Sequence, residues 1–154
     1  MSGSEIKLSQ PVNAPVGDVW AVLTDIEGTV DVLSGLTRVE RLAGNGFEVG
    51  TRWRETRKLM GSSDTMEMWV AEVDPLTRTV IKSSARGVDY TTVFELVPAS
   101  ARTELAMTFS AVDGPSGAFG KLVATVTARI GAAITKKMMM QDLRDIAAAA
   151  EART

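Results

Sequence analysis

The chain has 154 residues, a net charge of −2, 45% hydrophobic and 23% charged residues, and neither histidine nor cysteine. Without those two residue types it cannot build a Ser-His-Asp triad, a Cys-His pair, a zinc site of the usual kind or a disulfide. Nucleic acid is a poor candidate partner, because phosphate binding needs concentrated Lys and Arg and the densest basic run, Arg54 to Lys58, alternates faces on a strand. The N-terminal MSGSEIKL lacks the basic and apolar regions of a signal peptide, and no apolar run reaches the ~18 residues of a membrane span. The expectation is one cytoplasmic domain over residues 1–154, large enough to bury a core.

In chain order, Ile6, Leu8 and Gln10 alternate with Glu5, Lys7 and Ser9 as in a half-buried strand. Asn13-Ala14-Pro15 then opens a short helix, with Asn13 or Ala14 as cap and Pro15 in the first turn. Val16, Val19, Trp20 and Leu23 form its apolar face, and Trp20 is expected to be largely buried. A second short helix spans Ile26 to Gly35, closed by that glycine. Six strands follow: Leu36 to Leu42, Glu48 to Leu59, Thr65 to Val73, Thr79 to Ala85, Val88 to Val97 and Arg102 to Ala111. Turn residues separate each pair, as consecutive antiparallel hairpins require.

The last quarter, about Ser116 to Ala152, is rich in Leu, Ala, Met and Lys and holds no proline after Pro115. It reads as one helix of ~55 Å, capped by Asp113 or Ser116, with Pro115 near its first turn. Phe119, Leu122, Val123, Val126, Ile130 and Ile134 form one apolar sector; Met139, Met140, Leu143, Ile146, Ala147 and Ala150 form another, with Gly131 between. That arrangement fits either a bend or one wide packed stripe.

The run from Asn13 through Pro15 and Trp20 to Asp25 resembles the opening of the SRPBCC superfamily, the START-like or helix-grip proteins that include polyketide cyclases, lipid-transfer domains and the birch-pollen allergen. Gly35 to Leu42, Val49-Gly50-Thr51-Arg52-Trp53 and Val73-Asp74-Pro75 look like later landmarks of that family, in the same order. Asp31-Val32-Leu33 stands where many members carry a tryptophan. The resemblance covers residues 4 to 152. It implies an α+β helix-grip fold, in which a seven-stranded curved antiparallel sheet wraps around the long C-terminal helix, with two short helices after the first strand. It also implies a cavity between sheet and helix that takes a small hydrophobic, lipid-like or polyketide-like ligand.

Strand parity nominates the ligand-binding residues. Trp53, Glu55 and Arg57 share one face, and Glu67, Trp69 and Ala71 are assigned to the inner face of the next strand. Tyr90, Thr92, Phe94, Met107 and Phe109 join them, with Leu33 at the mouth and Phe119, Val123, Val126 and Ile130 from the helix. Buried charges need partners, so Arg57 is expected to pair with Glu55 or Glu67. Those two glutamates, with Tyr90 as proton donor, are the catalytic candidates for a cyclase, dehydratase or hydrolase; without histidine, binding is the leading reading. A ligand-free interaction module or homodimer is the third. Asp25, Glu27, Asp31 and Asp74 lack oxygen-ligand spacing, so no metal or cofactor is expected.

Overall fold

The computed structural model describes residues 3–59, 61–85, 87–113 and 118–154, and the side chains of 5–58, 61–85, 87–112 and 132–154. Its elements in order are β1 (Gly3–Val12), α1 (Val16–Thr24), α2 (Thr29–Val32), β2 (Leu36–Ala43), β3 (Arg52–Leu59), β4 (Ser62–Asp74), β5 (Arg78–Ala85), β6 (Val88–Ala99), β7 (Arg102–Asp113) and α3 (Ala118–Ala152). The seven strands form one antiparallel sheet in the order β1-β7-β6-β5-β4-β3-β2, curved around α3 in the helix-grip arrangement.

Several boundaries move from the sequence expectation, each for a local reason. β3 starts at Arg52 rather than Glu48, because Glu48 to Thr51 form a turn. Thr51 N–H donates to the Glu48 carbonyl at 2.9 Å, and Glu48 N–H donates to the Thr51 hydroxyl at 3.0 Å. Gly50 in that turn has φ +94°, a conformation costly for any residue with a Cβ. β4 begins at Ser62 rather than Thr65, since the β3–β4 ladder runs out to the Leu59–Ser62 pair. α1 is preceded by Pro15 itself as the N-cap, so the proline stands one place before the helix rather than inside it. α2 is only four residues long, and Leu33 rather than Gly35 ends it. Of the two expected α3 caps, Ser116 lies outside the described residues, as does Pro115, and Asp113 is the last residue of β7.

α3 is 35 residues long, which at ~1.5 Å per residue gives ~52 Å. It packs against β1 and α1. Met139, Leu143, Ile146, Ala147 and Ala150 are buried against Val12, Ala14, Val19, Leu96 and Leu105. Met140, read as part of that stripe, is exposed. The first apolar sector, apart from Ile134, has side chains outside the described residues. Trp20 is half-buried rather than largely buried, packed edge-on against Phe47 at 6.3 Å. The Thr103 hydroxyl donates to the Ala14 carbonyl at 2.8 Å, which anchors the β1–α1 corner to β7. Asn13 N–H donates to Glu151 at 2.8 Å, and Ser34 donates to Asp145 through both N–H and hydroxyl at 2.9 Å. These bonds pin the C-terminal half of α3 to the α1–α2 region.

Candidate functional site

Sheet, α3 and the two short helices line a cavity of about 270 Å³. The sheet contributes Trp53, Glu55 and Arg57 from β3, Asp64, Met66 and Met68 from β4, Ile81 and Ser83 from β5, Tyr90, Thr92 and Phe94 from β6, and Met107 and Phe109 from β7. α3 contributes Ile134, Thr135, Met138, Asp142 and Ile146, and the α1–α2 region contributes Val22, Leu23, Ile26, Thr29, Val32 and Leu33, joined by Phe47. Tyr90 and Phe109 stack with ring centroids 5.6 Å apart, and Phe47 lies 6.4 Å from Trp53. The lining is therefore mainly aromatic and aliphatic with a few polar groups, the usual make-up of a small-molecule site.

One polar cluster dominates the lining. Arg57 reaches from β3 to α3 and donates through Nη1 and Nη2 to the two carboxylate oxygens of Asp142, at 3.0 and 3.1 Å. Glu55 lies 3.9 Å from the same guanidinium and accepts a 3.4 Å bond from Trp53 Nε1. Side-chain exposure is 14% for Arg57, 7% for Asp142 and 16% for Glu55, so all three are largely out of water. Two carboxyls thus share one cation. Burial pushes the Glu55 carboxyl above its usual range; Arg57 and the Trp53 bond pull it down, and Asp142 pushes it up again. Burial likewise raises Asp142, against the opposing pull of Arg57. The two-bond contact favours an ionised Asp142, so Glu55 is the better place for a shared proton. Gly35 makes room for this cluster: a Cβ there would come within 2.8 Å of Arg57 Nη1.

Among the residues nominated from sequence, Leu33, Trp53, Glu55, Arg57, Tyr90, Thr92, Phe94, Met107 and Phe109 all line the cavity. Glu67 and Trp69 do not. Trp53 pairs with Met68, Glu55 with Met66 and Arg57 with Asp64, and directly opposed residues share a face. The inward set of β4 is therefore Asp64, Met66 and Met68. Glu67 instead pairs with Arg52 at 2.9 Å, and the Arg52 guanidinium sits 4.8 Å over the Trp69 ring, away from the cavity. Glu67 is consequently neither a partner of Arg57 nor a member of a carboxylate pair with Glu55. The side chains of Phe119, Val123, Val126 and Ile130 lie outside the described residues.

Asp142 is the principal residue that sequence reasoning missed. A signal was present: Ile134, Met138, Asp142 and Ile146 recur at four-residue spacing, which places an acid in an otherwise apolar helix stripe. Met66 and Met68 face inward because they oppose Glu55 and Trp53, although Trp69 is the larger apolar residue of that strand.

A sheet gripping a long helix, with a cavity between them, is the architecture of the helix-grip class. Residues 4–151 match the family model for polyketide cyclase / dehydrase and lipid transport, and the chain belongs to that family. Among solved structures, it is similar to the Zhui aromatase/cyclase from a Streptomyces species, at 22% identity and TM-score 0.85, covering 99% of this chain and 96% of that one. It is also similar to norcoclaurine synthase from Thalictrum flavum, at 16% identity and TM-score 0.72, covering 95% and 85% of the two chains. Ara h 8.0201 is similar at 13% identity and TM-score 0.70, covering 97% and 98%. At these identities the likeness establishes the fold. No curated protein matches the chain in sequence. Among the described residues, no helix is long and apolar enough to cross a membrane.

Proposed function

We propose that this protein binds a small, largely apolar molecule in the cavity between sheet and α3, with the ligand's polar group set against the Glu55–Arg57–Asp142 cluster. The observation that carries this reading is the cavity itself: about 270 Å³ of space, walled by Trp53, Tyr90, Phe94, Phe109 and two β4 methionines, with one concentrated polar group in its lining. Among the described residues no side chain fills that volume, whereas a core built only for stability packs without such voids. Rigid aromatic walls suit a flat hydrophobic ligand, and the methionines adapt to its outline. Family membership supports the same class of ligand.

The test is saturable quenching of tryptophan fluorescence by an apolar aromatic probe, because Trp53 lines the cavity and Trp20 touches Phe47 on its wall. One probe per chain is expected. Met66→Trp, which fills the cavity from a half-buried position, should weaken binding at least about tenfold while leaving the fold intact. Failure of a broad apolar panel to bind would overturn the reading.

A second reading is a cyclase- or dehydratase-like enzyme. It is favoured by one observation, a buried Glu55 with a raised carboxyl facing the cavity. Such a group keeps its proton to higher pH than an exposed carboxyl does and can deliver it to a carbonyl or hydroxyl oxygen. Tyr90 stands on the same lining. On this reading Glu55→Gln abolishes turnover while probe binding persists.

A further inference from the structure

The polar cluster contains an arginine, and an arginine in an apolar cavity ordinarily marks a site for a carboxylate or phosphate. Here the arrangement works the other way. Both terminal nitrogens of Arg57 already donate to Asp142, at 3.0 and 3.1 Å, so its fork is filled by the protein's own acid. Glu55 stands 3.9 Å from the same guanidinium, on the cavity side of the cluster with Asp142. The cluster thus holds one cation and two acids. A ligand carboxylate entering beside it would displace Asp142 from a two-bond pair, or meet a guanidinium whose charge Asp142 already offsets, with the acids Glu55 and Asp64 on the same lining.

We infer that Asp142 is a specificity-determining residue, which occupies Arg57 from α3 so that the cavity accepts uncharged ligands carrying a carbonyl or hydroxyl and rejects their carboxylate counterparts. This rests on the binding role proposed above and adds the charge rule to it. Two features support the assignment. Asp142 interrupts an apolar four-residue series, Ile134, Met138 and Ile146, at a position where a hydrophobic residue would pack as readily. Gly35 leaves the space in which the guanidinium is held in line with Asp142, since a Cβ there would collide with Nη1. Glu55, whose carboxyl is raised by burial, stands beside the filled pair as a proton donor within reach of a ligand carbonyl or hydroxyl oxygen.

The test compares two probes of nearly one shape, 2-acetylnaphthalene and 2-naphthoate, by tryptophan quenching and calorimetry at neutral pH. The ketone is expected to bind at least about tenfold more tightly than the carboxylate, as like-charge contact in a desolvated site costs that much or more. Asp142→Asn frees the guanidinium fork, so the naphthoate should gain at least about tenfold while the ketone changes little. Equal or tighter binding of naphthoate by the native protein would overturn the charge rule while leaving the binding role standing. Unchanged naphthoate affinity in a folded Asp142→Asn would overturn the assignment to Asp142. If that variant does not fold, the ratio for the native protein decides the matter. Binding of neither probe overturns this inference together with the binding role.

Discussion

Replacing Arg57 by methionine removes the only cation of the buried cluster while keeping most of its apolar length. The two acids it serves are then left together, 7% and 16% exposed, with no counter-charge. Breaking a buried pair by removing one partner costs ~3–5 kcal/mol, and the partial exposure of Glu55 argues for the lower half of that range, about 3–4 kcal/mol at pH 8. The acids have a way to relieve the strain, which is to take up protons. A carboxyl whose folded pKa lies above its unfolded one destabilises the fold above that folded value, and the penalty vanishes as pH falls toward the ordinary carboxylate range. Burial already raises Glu55 and Asp142, and loss of Arg57 raises both further. Urea titrations of native protein and Arg57→Met should therefore show a difference that shrinks as pH falls from about 8 toward the ordinary carboxylate range. Adding Asp142→Leu to Arg57→Met should recover part of the loss, because a buried charge without a partner is replaced by an apolar side chain. A loss below ~1 kcal/mol, or one independent of pH, would show that the cluster is well hydrated and that the reasoning from burial is wrong.

The remaining predictions probe the surroundings of the cavity. Gly35→Ala should cost about 1–2 kcal/mol by crowding the Arg57 guanidinium, read as a lowered urea midpoint; an unchanged midpoint would mean that Arg57 swings aside freely. Trp20→Ala should cost about 2–3 kcal/mol, less than for a fully buried tryptophan, because the ring is half-exposed and rests on Phe47. Glu67→Gln should change stability by less than ~1 kcal/mol and leave probe affinity unaltered, since its pair with Arg52 is an exposed one on the far side of the sheet; a shift in ligand affinity would contradict the β4 register.

The element order was legible from the chain's own periodicity, and the helix-grip architecture from the resemblance its ordered motifs carry. Alternation of period two, turn residues between strands and a long proline-free apolar stretch are local signals, and local backbone preference is what they report. The inward faces of β3, β6 and β7 followed from the same parity, and nine nominated residues indeed line the cavity. The inner face of β4 did not follow. Parity defines two faces without saying which is inside, and only the pairing of Trp53 with Met68 and Glu55 with Met66 decides it. Trp69 looked like a core residue by size, yet an arginine neighbour covers its ring on the outer face. The partner of Arg57 lies 85 positions away, on an element whose rotation about its own axis depends on how it packs into the sheet. A sequence can show that a buried arginine needs an acid; which acid reaches it is settled by the three-dimensional crossing of β3 and α3, because ion pairing acts over a few ångströms of space and is indifferent to separation along the chain.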